Sequence, residues 1–180
     1  SNFVEIKKIM RQIPLYILLC CVSFFSAGLG YASISEKDVT NLLEKAEKEL
    51  YTNPQLAAYY ATKERASISS SSLLARSLYI YAQAEKLLGD FDGCIQALYE
   101  ADELLTDKDN GLKGHIYNLM SVGYCNLGDY GKAIDLSDKA ISFFKTKNDS
   151  LNLAACYNNR GIIHTYITVS YTHLTLPTIR

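Results

Sequence analysis

The sequence predicts an all-α protein, an α-solenoid of antiparallel helix hairpins with about three and a half repeats. Two observations lead there. The stretch Leu127-Gly128-Asp129-Tyr130-Gly131-Lys132-Ala133-Ile134 lies between two amphipathic runs and reads as helix, tight turn, helix. Leu88-Gly89-Asp90-Phe91-Asp92-Gly93-Cys94-Ile95 repeats it 39 residues earlier (Gly89 against Gly128), and a third copy begins at Tyr157, 40 residues after Tyr117. Such hairpins bury their apolar faces by stacking on one another, which places function on a shared surface rather than in one catalytic cleft.

Composition agrees with a packed protein and narrows the partners. The chain has 180 residues, 48% hydrophobic and 21% charged, with a formal net charge of −1. No block of five or six like charges occurs, so nucleic acid is not an expected partner. Pro14, Pro54 and Pro177 all avoid the strongest helical runs, as helices require.

Residues 1–9 precede Met10 and read as tag, leader or upstream translation. From Met10 to Ala32 the layout is that of a secretory signal peptide: Arg11, an apolar run from Ile13 to Phe25, then Ser26, Ala27 and Gly28, with a small-x-small site at Gly30-Tyr31-Ala32. The apolar run is shorter than the ~20 residues of a spanning helix. Two alternatives stand beside cleavage. Counting through Tyr31 gives an uncleaved anchor, and Cys20-Cys21 gives a lipoprotein, although bulky Leu18 and Leu19 precede them. All three send the remainder out of the cytoplasm, to the periplasm or cell envelope.

Residues 33–72 make a degenerate first hairpin. Ser35 caps a helix whose stripe is Val39, Leu42, Leu43, Ala46 and Leu50; Asn53-Pro54 stops it and starts a second helix through Leu56, Ala57, Tyr60, Ala61 and Ile68. Ser69-Ser70-Ser71-Ser72 is a loop with at most a capping role.

Residues 73–147 hold two clear repeats. In the first, Leu74, Leu78, Tyr81, Ala82, Leu87 and Leu88 give helix A, Gly89 ends it in the left-handed conformation, and Asp90 caps a helix B with Cys94, Ile95, Leu98, Ala101 and Leu105 inside. In the second, helix A carries Tyr117, Met120, Ser121, Tyr124 and Leu127, and helix B carries Tyr130, Ala133, Ile134, Ala140 and Ile141. The small residues Ala82, Cys94, Ala101, Ser121, Ala133 and Ala140 mark the expected close helix crossings.

On these residues the chain resembles the tetratricopeptide-repeat (TPR) family across roughly residues 38–167. The match runs through Met120-Ser121, Tyr124, Gly128-Asp129-Tyr130, Ala133 and Ala140, and again through Tyr81-Ala82, Gly89-Asp90-Phe91 and Ala101. It departs at Glu85, where an aromatic is usual, at Cys94, where alanine is usual, and in a period of 39–40 rather than ~34 residues.

Residues 148–167 read as helix A of a further repeat, opening at Asn148-Asp149-Ser150. Arg160 falls at a position that analogy with Tyr81 and Met120 makes buried, so it must snorkel or the helix must be incompletely covered. Beyond Ile167 the helical period stops. Residues 168–180 resemble the translation of a transposon-type sequencing adapter and read as a non-native tail, the alternative being a genuine irregular tail. Ile162, Ile163 and Tyr166 are then expected to lack a covering helix B, leaving the last helix to fray or self-associate.

No catalytic constellation is present in the sequence. His115, His164 and His173 are not spaced for a metal, and there is no phosphate loop or nucleophile–base signature, so neither catalysis nor a cofactor is expected. Cys94, Cys125 and Cys156 each fall inside a helix and read as buried thiols rather than a bridge. Tyr60, Tyr81, Tyr117, Tyr124 and Tyr130 read as packing residues with hydroxyls at the core's edge.

The resemblance implies that ligands lie in a concave groove lined by the A helices. Residues one helical step off the packing stripe are its candidates: Arg76, Tyr79, Gln83 and Lys86; His115, Asn118 and Val122; Asn158 and Ile162. Asn118 and Asn158, each one residue after a repeat tyrosine, suit the backbone of an extended peptide, or else form an asparagine ladder on a solvated face. The family's carboxylate clamp is missing, because Tyr79 stands where it has lysine. The expected protein is an exported scaffold binding a protein or peptide segment. The alternative is the ectodomain of a larger membrane-bound sensor or transcriptional regulator.

Overall fold

The computed structural model describes residues 35–106 and 110–175, with side chains at 35–106 and 111–170. The leader readings on residues 1–32 lie outside the described residues. Seven α-helices follow one another: α1 (Glu36–Glu49), α2 (Pro54–Thr62), α3 (Ser71–Leu88), α4 (Phe91–Leu104), α5 (Asn110–Asn126), α6 (Tyr130–Thr146) and α7 (Ser150–Thr175), with a 3₁₀ turn at Arg65–Ser67. No strand occurs among the described residues.

Local chemistry sets the boundaries. The Ser35 hydroxyl accepts from the Asp38 amide at 3.2 Å to start α1, and Asn53 Oδ1 accepts from Leu56 N at 3.1 Å ahead of Pro54 to start α2. Ser70 caps α3, so Ser71 and Ser72 belong to its first turn. Helix α2 ends at Thr62 rather than running to Ile68 as expected. The Ser77 hydroxyl on α3 donates to the Ala61 carbonyl at 2.7 Å, supplying that carbonyl with a partner from outside its own helix.

Three turns are built alike. Gly89 and Gly128 have φ of 87° and 82°, and Asn148 has φ of 54°. The amide after each reaches back five residues, Asp90 to Glu85 O, Asp129 to Tyr124 O and Asp149 to Phe144 O. Each aspartate then accepts from the amide three residues on, at 2.9–3.1 Å. A left-handed C-terminal residue and an aspartate N-cap thus satisfy two helix ends in two residues.

Each helix packs on the next, and α1, α3, α5 and α7 also touch in succession, α1 with α3, α3 with α5 and α5 with α7. All six small crossing residues, Ala82, Cys94, Ala101, Ser121, Ala133 and Ala140, are completely buried. Two glycines join them. A methyl group on Gly114 would meet Phe144 Cζ at 2.7 Å, and one on Gly123 would meet Ile95 Cγ1 at 2.9 Å, so α5 lies close to α6 and α4.

Among the described residues, one large cluster joins α3, α4, α5 and α6 through Leu78, Leu98, Ile116, Met120 and Leu136. Helix α3 is buried on two sides, because Ala84 packs with Leu50 and Ala57 while Leu78 and Ala82 face α4. Leu87 and Leu88, expected inside, are each 40% exposed in its last turn.

Helix α7 departs most from expectation. It continues to Thr175, through Thr168 and Val169, with no break at Ile167. Ile163, expected to lack cover, is buried with Cys125 and Ala133, whereas Ile162 and Tyr166 are exposed as expected. Arg160 reaches the surface and pairs with Asp138 on α6. The three cysteines are buried and unbridged. The five packing tyrosines are half-buried, and the hydroxyls of Tyr117, Tyr124 and Tyr130 meet Asp102, Tyr99 and Ser170.

Candidate functional site

The nine candidate residues fall on α3, α5 and α7, and the structure divides them. At the α3 end, Arg76 is engaged with Glu47 of α1, its Nε and Nη2 at 3.1 and 2.8 Å from one carboxylate oxygen. Tyr79 turns against the main core cluster, and burial pushes its phenol up to about 12. It therefore serves packing more than it lines an open groove. Gln83 and Lys86 lie half-buried one and two turns further along α3.

His115 continues this row from α5. Its ring stands 6.2 Å from that of Tyr79 and 5.1 Å from that of Phe144, edge-on to the latter. Burial lowers the imidazole below its usual range, with Asp149 opposing more weakly, so the neutral ring is favoured. Helices α3, α5 and α6 are thus joined by an aromatic row with a neutral histidine at its centre.

At the α7 end, two of the candidates meet. Val122 on α5 and Ile162 on α7 face a cleft of about 100 Å³, completed by Cys125, Asn126, Asn159, Ile163 and Tyr166. Asn118 sits one turn before Val122, and its Oδ1 accepts from Asn159 Nδ2 at 3.0 Å. Ser121 Oγ donates to the Asn118 carbonyl at 2.7 Å.

Asn118 and Asn158 lie in different settings. Asn158 is exposed and does not line the cleft, and Asn159 is the partner. The reason is helical spacing. Cys156 and Ile163 are the buried residues among the described side chains of α7, seven apart, and Asn159 lies between them at i+3 on that face, while Asn158 is rotated away. Reading α7 from its buried pair rather than from Tyr157 would have found Asn159. Tyr166 follows by the same step, three residues beyond Ile163.

Thiols at Cys94 and Cys156 are pushed up to about 12 and about 11 by burial, which keeps them protonated and poorly nucleophilic. No group of three or more His, Cys, Asp or Glu side chains is placed to hold a metal among the described residues. None of the described helices is long and apolar enough to cross a membrane. What the α5–α7 end offers is a linked amide pair beside a largely apolar cleft.

Comparison with known proteins finds no matching family model, no matching curated protein and no matching solved structure. The described residues form an all-α protein of consecutively packed helices, and the nine candidate residues lie on α3, α5 and α7.

Proposed function

We propose that the chain is an exported α-solenoid scaffold of TPR type that binds an extended protein or peptide segment on the face shared by α3, α5 and α7. The observation that carries this reading is the Asn118–Asn159 amide pair beside the Val122–Ile162–Tyr166 cleft. An amide pair can exchange its internal hydrogen bond for bonds to a peptide backbone, while the cleft accepts one apolar side chain. Supporting it are the succession of A-helix contacts and the repeated turn, both of which suit stacked helical pairs. Export rests on the Met10–Ala32 layout.

The test is selection of binders from a random peptide display library on the wild-type protein, with the enriched peptides then measured by calorimetry. Val122→Glu places a charge at the cleft and is expected to weaken binding at least tenfold. Asn118→Ala is expected to weaken it severalfold, with unchanged circular dichroism in both variants. Enriched peptides that bind the two variants as tightly as wild type would sink the reading.

A further inference from the structure

Helix α7 presents a second surface, on the side away from its buried pair Cys156 and Ile163. Leu151, Ala155, Asn158, Ile162, Thr165 and Val169 are all exposed, and they follow one another at spacings of 4, 3, 4, 3 and 4 residues. That is the seam of a coiled coil, in which a second helix packs along alternate steps of three and four. Leu151 is 81% exposed, and Ile162 and Val169 are 46% and 48% exposed. Ile162, Thr165, Tyr166 and Val169 border a shallow depression of about 310 Å³.

Charge selects the occupant. Between Ser150 and Ser170 the one formally charged side chain is Arg160, which is engaged with Asp138 on α6. The residues flanking the seam are Asn152, Ala154, Asn159, Gly161, Tyr166 and Thr168, none of them charged. A partner chosen by charge has nothing to read here. A second copy of the same helix meets no like-charge repulsion along its length, and a parallel two-fold interface sets each seam residue against its own counterpart. Exposed Ala154 and Gly161 allow close approach, and a methyl group on Gly161 would meet nothing within 4 Å.

We infer that α7 is a homodimerisation element, pairing in parallel with α7 of a second copy through Leu151, Ala155, Asn158, Ile162, Thr165 and Val169. Asn158 fixes the direction. In a parallel pair its amide meets the partner copy's identical amide and each donates to the other, whereas an antiparallel pair sets it against apolar Ile162. This does not rest on the peptide-binding reading. Ile162 borders both the seam and the cleft, so the two readings share that side chain, and Asn118 and Val122, which lie on α5 and off the seam, test the peptide reading alone.

The test uses the whole chain with Cys20→Ser and Cys21→Ser. Sedimentation equilibrium is expected to give twice the chain mass of 20.1 kDa, falling to one chain mass in the Ile162→Glu, Val169→Glu variant with its helical circular dichroism unchanged. Independently, Asn158→Cys is expected to yield a disulfide-linked dimer on mild oxidation, since the native thiols at Cys94, Cys125 and Cys156 are buried. A wild-type monomer at 100 μM, a dimer that survives the double glutamate change, or no cross-link at Asn158→Cys would each overturn the inference.

Discussion

His115 illustrates how one side chain can tie stability to pH. Its imidazole lies between the rings of Tyr79 and Phe144, and burial lowers its titration below the ordinary value of 6.5. In the unfolded chain the same group titrates near 6.5. Between the folded and unfolded values the unfolded chain holds a proton that the folded chain does not, so protonation favours unfolding there. The contribution is fully present above the unfolded value and is lost as pH falls from about 6.5 through the lowered folded value. Replacing His115 with Gln removes it. Urea titrations at a series of pH values should show wild type losing stability across that window, with a shallower loss in His115→Gln; parallel curves would show that the ring's surroundings do not couple to its charge. Asp149 and Asp129, whose carboxyls are held low mainly by hydrogen bonds from residues three further on, act at more acid pH in both proteins.

Turns and helices show which parts of the fold are legible in sequence. Gly-Asp at 89–90 and 128–129 announces its turn because only a few residue types tolerate a positive φ and aspartate is a strong N-cap. Asn148-Asp149 carries the same chemistry with asparagine in the left-handed position. A methyl group on Gly128 would meet nothing within 4 Å, so its replacement acts through the backbone alone. Gly128→Ala should cost about 1–2 kcal/mol. Gly128→Asn should retain most of the stability, as the turn at Asn148 does, and equal losses in the two urea midpoints would refute the shared turn chemistry. Where sequence fell short, the cause was tertiary. The Ala61 carbonyl takes its bond from Ser77, sixteen residues away, and Gly114 and Gly123 matter through Phe144 and Ile95 on other helices. In the site, Val122 and Ile162 follow from their spacing. Asn159 does not, because the face of α7 is set by its buried residues Cys156 and Ile163 and not by its tyrosines.

At the scale of the whole described chain, the interior is a series of clusters rather than one core, and they differ in weight. The cluster around Leu78, Leu98, Ile116 and Met120 engages four helices, while Cys125, Ala133 and Ile163 form a smaller one that holds α7 to α5 and α6. When neighbours interact mainly with neighbours, stability is close to a sum of local and interface contributions, and an end can open while the middle stays closed. Leu98 is completely buried on α4, so Leu98→Ala should cost about 2–5 kcal/mol and speed amide exchange throughout α3 to α6. Ile163→Ala deletes a side chain of similar size from the smaller cluster. Its effect should stay in α7, with faster exchange over residues 150–170 and unchanged protection at Leu78 and Leu98. Native-state hydrogen exchange on the two variants separates the cases at residue resolution. Equal acceleration in α3 and α7 on changing Ile163 would mean that the helices open as one unit, and that the small cluster is coupled to the large one through α5 and α6 rather than opening alone.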